Sequence, residues 1–532
     1  MIYPEAARHT LRPSTPSVTK EPAEVPRRCI MASAMWTLRL VLVLSCALVG
    51  ARPVTAAAPD PKATPVRVDR SGSLDRSFGT GGFVDSAFGG PTLWQGLTVG
   101  DDGAIVAAGR WTDELVVARY DASGVLDPTF GDAGLAIPPL AHGGNARAVT
   151  HAGGGDLVVV GEAYGDPESG FPRDVLVLRF DQDGKLDRGF GDDGVVTIDL
   201  GKDEAGTAVV TQGSGRIVVL ADSNGPPTSP SGSAALLGFR PDGRVDPTFG
   251  NAGRVELRGA AEDVWFTNGM LRTPNGDLVI AATSYDGVDV ENSDYRARLV
   301  RFDRDGNERW TTTVAGYAAG LALLADGTIV VDGGFSIGNV GAATALLRFD
   351  GDGTLDTTLG EQGLITWSED QPGLLAVDAQ DRIVMASNAV SRHYSDGVRD
   401  ESFGDDGIAE DSQFSRHHAL VLQPDGKILT AGEVCRFDPK GGSSGCLARL
   451  VRYESDATQL CGDADGDETL SVTDGVTTLR MAALLPSTCS FEICDVDGDG
   501  TMSVTDGVNV LRAAADLPAA LTCGAGLTDL SR

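Results

Sequence analysis

The sequence predicts an all-β fold, a seven-bladed β-propeller built from repeats of about 55 residues, followed by a small α-helical domain. Two observations predict the propeller: the segment Tyr120–Gly134 returns in altered form along most of the chain, and seven hairpins precede seven apolar strands. Two acidic loops near the C-terminus, each followed by an apolar helical stripe, predict the helical domain. Four strands per repeat and seven repeats are typical of a propeller, which has about four to eight blades.

The repeat is clearest around a turn that contains Phe-Gly. Its copies are Phe180–Gly194, Phe239–Gly253, Phe349–Gly363 and Tyr394–Gly407, with a degenerate copy at Phe302–Trp310. The apolar residues at this turn are interpreted as core anchors: Phe78, Phe130, Phe190, Phe249, Trp310, Leu359 and Phe403. The aspartates of the turns are interpreted as turn-stabilising residues, because Asp bonds its own backbone, and not as calcium ligands.

Each repeat contains the signals of four strands. A hairpin turn such as Asp102-Gly103 joins the first two, since glycine accepts a positive φ. The second strand is a continuous apolar run such as Leu157–Val160, which is typical of a strand covered on both faces. A third strand such as Val175–Phe180 and a fourth after the Phe-Gly turn complete the unit.

The order of the strands predicts how the ring closes. The repeat region begins with a fourth strand that no hairpin precedes, and its last unit ends after a third strand. We therefore expect the first fragment to complete the last blade, which would leave no open sheet edge. The alternative is an open array of stacked hairpins.

The repeat region, residues 66–453, resembles the delta-60 repeat of exported bacterial proteins. The features that match are the hairpin Gln423–Leu429 and the Leu-Asp-x-x-Phe-Gly segment. That family has no settled activity, so the resemblance implies architecture and localisation and leaves the ligand of the propeller open.

Two matching acidic loops follow, Asp463–Asp474 and Asp495–Asp506. Each places oxygen side chains at positions 1, 3, 5, 9 and 12, and a hard cation takes about six to eight oxygen ligands. Position 7 would supply a backbone carbonyl. The pattern predicts two Ca²⁺ ions held by Asp463, Asp465, Asp467, Thr469, Ser471, Asp474, Asp495, Asp497, Asp499, Thr501, Ser503 and Asp506. Apolar helical stripes follow both loops and end before Pro486 and Pro518.

The doubled loop and helix, residues 461–523, resembles the type I dockerin. The resemblance implies that the loop aspartates bind calcium and that the helices bind a cohesin-like protein through loop positions 10 and 11. Those positions are Val472-Thr473 and Val504-Thr505. Valine departs from the polar residue usual at position 10, which leaves the partner's identity open.

Six of the eight cysteines lie after the predicted signal peptide, and an even number in an exported protein indicates disulfides. Cys435 and Cys446 are close in sequence. The loop repeat allows two symmetric pairings in the helical domain, Cys461–Cys489 with Cys494–Cys523, or Cys461–Cys523 with Cys489–Cys494. Both alternatives stay open.

The N-terminal segments indicate export. We predict a non-native extension (1–34), a signal peptide (35–57), a linker (58–65), the propeller (66–453), a second linker (454–460) and the calcium-loop domain (461–526). The start could be Met31 or Met35, and Cys46 could be a lipid attachment site. The net charge of −32 disfavours nucleic acid and anionic membranes, and no later segment is predicted to span a membrane.

No catalytic motif stands out among the six histidines, and His417-His418 is interpreted as a surface pair. The sequence therefore predicts a secreted or surface-associated calcium-binding protein, in which the propeller is a binding platform and the helical domain attaches it to a cohesin-like partner. The alternative is a glycoside hydrolase carried by a dockerin, whose two catalytic carboxylates the sequence does not locate.

Overall fold

The first strands of the repeats form a closed ring. The structure is a computed structural model that describes residues 71–86, 88–166, 173–201, 203–224, 233–257, 264–285, 295–336, 343–360, 362–366, 372–409, 416–437, 443–455, 464, 471–483, 485, 494, 496, 501–515 and 517. The predicted extension, signal peptide and linker before residue 66 lie outside these residues. No helix among the described residues is long and apolar enough to cross a membrane.

Four sheets have four antiparallel strands each. They are β1 (Phe83–Ser86) with β24 (Arg416–Leu422), β25 (Ile428–Phe437) and β26 (Ser443–Tyr453); β2 (Thr92–Val99), β3 (Ile105–Trp111), β4 (Glu114–Tyr120) and β5 (Leu135–Ala136); β6 (Gly144–Ala152), β7 (Asp156–Tyr164), β8 (Arg173–Phe180) and β9 (Val195–Ile198); and β10 (Asp203–Thr211), β11 (Ile217–Asn224), β12 (Ser233–Phe239) and β13 (Arg254–Leu257).

The remaining strands form a seven-stranded and a three-stranded sheet. The first contains β14 (Val264–Arg272), β15 (Leu278–Tyr285), β16 (Arg296–Phe302), β17 (Glu308–Leu323), β18 (Ile329–Phe335), β19 (Ala343–Phe349) and β20 (Leu364–Thr366); the second contains β21 (Leu374–Val377), β22 (Ile383–Ala386) and β23 (Val390–His393). Two further elements among the described residues are the helices α1 (Val472–Ala482) and α2 (Val504–Ala514).

The predicted ring closure is confirmed. Strand β1 pairs with β26, from Phe83 opposite Val451 to Ser86 opposite Ala448. Each first strand contacts the next in the order β2, β6, β10, β14, β17, β21, β24 and back to β2. The open array of hairpins is therefore wrong, and the fold is a β-propeller.

The predicted number of separate blades is wrong. The described strands form six sheets instead of seven, because β17 is 16 residues long and belongs to two repeats. Its first half pairs with β16, and its second half, from Gly316, pairs with β18. Elsewhere a separate segment, such as residues 137–143, lies between the fourth strand of a repeat and the next first strand, whereas here Ala315 of the fourth strand is followed directly by Gly316 of the next first strand. The backbone therefore continues as one strand.

The core lies between successive sheets, as the apolar second strands predict. Leu157 to Val160 of β7 are almost entirely buried, and residues of β7 pack against both neighbouring sheets. Five of the predicted anchors are fully buried and Leu359 nearly so, which confirms their assignment to the core. Trp310 is partly buried against the core around β17.

A set of seven arginines, here called the interblade arginines, joins each repeat to the next. Arg119 is typical: its Nε donates to Asp127 of its own repeat at 2.8 Å, and its Nη1 donates to the carbonyl of Gln182 in the following repeat. In the third repeat Gly238 occupies the usual arginine position, and Arg216, which directly precedes β11, supplies the guanidinium instead. The donations to the following repeat are Arg119 to Gln182, Arg179 to Pro241, Arg216 to Arg304, Arg301 to Gly351, Arg348 to Ser395, Arg392 to Ser455 and Arg452 to Ala122.

Candidate functional site

Both predicted calcium loops end at a helix N-terminus of the same design. At the start of α1, the Oγ of Ser471 accepts from the N–H of Thr473 at 3.1 Å, and the carboxylate of Asp474 accepts from the N–H of Ser471 at 2.8 Å. Ser503 and Asp506 repeat this arrangement at the start of α2. This reciprocal pair is a capping box, and it fixes the orientation of one carboxylate at the end of each loop.

The same two carboxylates tie the end of each loop to its beginning. The Oδ1 of Asp474 accepts from the N–H of Ala464 at 2.8 Å, and the Oδ1 of Asp506 accepts from the N–H of Val496 at 3.0 Å. Ala464 and Val496 are the second residues of their loops, so a backbone N–H near the start of each loop is bonded to the fully buried aspartate at its end.

The structure describes five of the twelve predicted ligands. It brings Ser471 next to Asp474, with 2.7 Å between Oγ and Oδ2, and Ser503 next to Asp506, with 3.1 Å between the same atoms. Thr501 is also described and is exposed. The remaining seven lie outside the described residues: Asp463, Asp465, Asp467, Thr469, Asp495, Asp497 and Asp499. Calcium binding by the twelve stays a prediction.

The two helices pack through a reciprocal contact. Gly475 of α1 faces Leu511, and Gly507 of α2 faces Leu479; a Cβ on either glycine would lie 2.4 Å from the opposing leucine. The absence of a side chain at both positions therefore allows the close approach of α1 and α2.

The predicted partner-binding residues lie on the outside of this helix pair. Val472 and Val504 are 66% and 64% exposed, and Thr473 and Thr505 beside them are exposed as well. The two positions are equivalent in the two loop repeats, so the exposed surface occurs twice.

One predicted disulfide is present and one is partly visible. Cys435 and Cys446 are bonded across β25 and β26. Cys494 is disulfide-bonded to a cysteine outside the described residues. Both predicted pairings of the helical domain include Cys494, so both remain open.

The propeller contains a repeated feature that sequence reasoning missed. Six of the seven first strands carry a β-bulge, and its position relative to the paired second strand is equivalent in all six. The extra residues of these bulges, here called the bulge ring, are Gln95, Arg147, Thr207, Asn268, Ala319 and His418. Five of the six are polar. The sequence alone does not show the bulges, because a bulge can be recognised only when the register of the paired strands is known.

The bulge ring faces the axis of the propeller. In the described structure each first strand is flanked by neighbouring first strands and pairs along one edge with its own second strand. The edge left uncovered faces the axis. Asn268 is exposed and the other five residues are partly exposed, while Trp94 and Gly96 on either side of Gln95 are buried.

Buried acidic groups lie directly behind the ring. Glu162 of β7 is 3% exposed, and its carboxylate accepts from the Nε of Arg147 at 2.6 Å. Asp222 occupies the equivalent position on β11; burial raises its pKa, and the charge of Glu162 adds to that rise. The guanidinium of Arg147 acts in the opposite direction.

The interpretation of His417-His418 as a surface pair is wrong for His417. That residue is 7% exposed, and burial, together with the nearby His418, lowers its pKa to about 4. His418 belongs to the bulge ring and lies 3.7 Å from the carboxylate of Glu433.

Part of the chain matches a described protein family. Residues 101–130 and 324–359 match the family described as Domain of unknown function (DUF5122) beta-propeller. Both segments run from a hairpin turn to the next Phe-Gly turn or its equivalent. The match agrees with the ring of strands that this is a β-propeller protein. No curated protein matches the sequence.

Several solved structures are similar in outline. A protein of unknown function from Dyadobacter fermentans is 11% identical, with 70% of this chain and 98% of that chain covered at a TM-score of 0.39. A polysaccharide lyase, an ulvan lyase, is 11% identical, with 70% and 96% covered at a TM-score of 0.42. An α-L-arabinanase from Penicillium chrysogenum is 10% identical, with 57% and 91% covered at a TM-score of 0.33. Likeness at this level says nothing about the ligand or activity of this chain.

Proposed function

We propose that this is a secreted or surface-associated calcium-binding protein whose propeller is a binding platform and whose helical domain attaches it to a cohesin-like partner. The observation that carries the proposal is the hydrogen bond that joins the start of each acidic loop to the buried carboxylate at its end, Asp474 in one loop and Asp506 in the other. The disulfide between Cys435 and Cys446 is compatible with an oxidising, extracytoplasmic compartment.

The donor set of each loop fits a calcium ion. Calcium prefers oxygen ligands, and the twelve predicted ligands offer carboxylates, hydroxyls and backbone carbonyls. The last aspartate of each loop is held at a helix N-terminus, where the partial positive charge of the helix already favours an anion. In this proposal Ca²⁺ would neutralise the aspartates of each loop. The expected affinity is that of extracellular sites, about 10⁻⁴ to 10⁻³ M or tighter.

The attachment role is supported by the exposed residues that follow each loop. Val472 and Val504 present apolar side chains to solvent at the first turn of each helix, beside Thr473 and Thr505. Their positions depend on the capping residues that end the loops. Loss of calcium would therefore disturb the surface that contacts the partner.

Capture from the source cell tests the proposal. The full chain is immobilised and incubated with envelope and secreted proteins in calcium, and bound protein is then eluted with a chelator. We expect a cohesin-like protein in the eluate, and its absence when Asp474→Ala and Asp506→Ala are combined. Equal recovery by the double variant, or recovery that the chelator does not reverse, would contradict calcium-dependent attachment.

A hydrolase is the second candidate, favoured by one observation. Glu162 and Asp222 are two buried carboxylates, and burial raises the pKa of Asp222. Acid–base hydrolysis of a glycoside needs two carboxyl groups, and a raised pKa is what its general acid requires. Release of reducing ends from a panel of polysaccharides by the full chain, lost in Asp222→Asn, would support it. Absence of turnover by the unmodified chain would exclude hydrolysis of those substrates.

A further inference from the structure

Side chains at one equivalent position of three second strands lie against residues of the bulge ring. Glu162, Thr283 and Glu433 occupy equivalent places on β7, β15 and β25. Each lies against the bulge residue of its own blade: Arg147 is 2.6 Å from Glu162, Asn268 accepts from Thr283 at 3.1 Å, and His418 is 3.7 Å from Glu433. Three ring side chains are therefore held by a partner behind them.

Hydrogen bonds also connect the ring from blade to blade. Gln95 on β2 accepts from the amide of Asn145 on β6 at 2.7 Å. Thr207 on β10 and Thr267 on β14 lie 2.8 Å apart through their hydroxyl oxygens. These contacts join β2 to β6 and β10 to β14, so the side chains of Gln95 and Thr207 are each held by the neighbouring first strand. Such pre-organisation reduces the entropy lost on binding a ligand.

The hydrogen-bonding groups and charges of the bulge ring indicate which class of ligand it can bind. The amides of Gln95 and Asn268 and the hydroxyl of Thr207 donate and accept hydrogen bonds without charge. Arg147 is the ring's cation, and its ion pair with Glu162 balances it, which disfavours an anionic ligand. The same guanidinium repels a metal cation. A neutral molecule with many hydroxyl groups matches donors and acceptors placed side by side.

We propose that the bulge ring is a binding site for a neutral carbohydrate at the axis of the propeller. This inference deepens the proposed binding role of the propeller and rests on it. The sugar hydroxyls would donate to the amide oxygens of Gln95 and Asn268 and accept from Arg147. Attachment through the helical domain does not depend on it.

Titration calorimetry on the full chain tests the site. The probes are neutral cello-, xylo-, manno- and arabino-oligosaccharides, with an oligogalacturonate as the anionic comparison. The variant combines Gln95→Ala with Asn268→Ala, and Asn251→Ala is the matched control, because Asn251 is exposed in a Phe-Gly turn away from the ring. Asn145 keeps its bond to Glu162 at 3.1 Å in the variant, so the fold should survive, which thermal unfolding checks.

We expect at least one neutral oligosaccharide to bind, with affinity about tenfold lower in the double variant and unchanged in Asn251→Ala. Binding that the double variant retains in full would overturn the site. Binding of the oligogalacturonate alone would overturn the ligand class, and binding of no probe would overturn the inference. Each of these results is separate from chelator-reversible capture, which tests attachment.

Discussion

Aspartates stabilise the turns of the propeller and the ends of the loops in the helical domain, but the groups that they bind differ. In the propeller, the aspartate of each intact Phe-Gly turn accepts from the N–H two residues on and pairs with an arginine; Asp356, for example, accepts from Thr358 at 2.9 Å and pairs with Arg348. In the helical domain, Asp474 and Asp506 accept from backbone N–H groups and serine hydroxyls.

The difference shows how one residue type can serve two purposes. In the propeller, arginine side chains of the same chain supply the positive charge, so the turns need no added ion once the chain has folded. The helical domain is proposed to take its cation from solution, which would make its order depend on calcium. The following predictions alter one side of this comparison while the other serves as the control.

The largest effect is expected from removing the two loop aspartates. Combining Asp474→Ala with Asp506→Ala should weaken calcium binding by at least about a hundredfold, because the last carboxylate of each loop is lost. Calorimetry with calcium measures this. Asp356→Asn in the propeller is the control and should bind calcium like the unmodified chain. Unchanged calcium affinity in the double variant would show that these aspartates only cap their helices.

A large effect on the propeller is expected from Arg392→Ala. Arg392 and Asp400 are both 1% exposed and 2.7 Å apart, so the change leaves a buried carboxylate without its partner. The expected cost is about 3 to 5 kcal/mol of unfolding free energy. Arg119→Ala removes the same pair where both groups are partly exposed, and should cost about 1 kcal/mol. In urea unfolding, each variant should lose the same unfolding free energy in calcium as in chelator. Losses that differ between the two conditions would show that the stability of the propeller depends on the helical domain.

The third repeat sharpens the comparison, because its arginine, Arg216, comes from the hairpin before β11 and not from the third strand. Arg216→Ala should cost about 2 kcal/mol, since it removes charged hydrogen bonds to Asp246, Thr248 and the carbonyl of Arg304. Arg244→Ala is the control, because Arg244 is exposed and contacts Asp242 beside it. If Arg216→Ala loses no more unfolding free energy than Arg244→Ala, the hydrogen bonds of Arg216 do not stabilise the third repeat.

The smallest expected effect is a loss of stability at acidic pH. The hydroxyl of Thr358, and then Arg348, lower the pKa of Asp356 from 3.8 to about 2. A carboxylate with a lowered pKa stabilises the fold above its unfolded pKa, and this contribution disappears as the pH falls from about 4 through 2. The melting temperature should therefore fall over that range, and by less in Asp356→Asn. An equal fall in both proteins would assign the acid sensitivity to other carboxylates.

The sequence predicted the features that depend on local chemistry. The buried anchors such as Phe130, the hairpin turns and the pairing of β1 with β26 follow from residue patterns that recur in every intact repeat. Helices α1 and α2 follow the two acidic loops, as the apolar helical stripes predict.

What the sequence did not predict depends on register and on contacts between repeats. Nothing local shows that the degenerate copy Phe302–Trp310 allows β17 to continue through two repeats. The arginine before the last residue of most third strands was a visible signal, but its partner in the next repeat was not, and Gly238 interrupts the pattern. The bulges, and with them the burial of His417, appear only when the first and second strands are paired.

The pairing of β1 with β26 has a consequence for the order of folding. Arg449 of β26 bonds Asp85 of β1 across 364 residues of chain. Contacts this distant in sequence form slowly, because a long loop must close before they stabilise anything. Each hairpin can form as soon as its own strands are available, but the ring cannot close until the last repeat has emerged. Until then β1 lacks its partner strand, and a newly synthesised chain is most vulnerable to association with its neighbours during that interval.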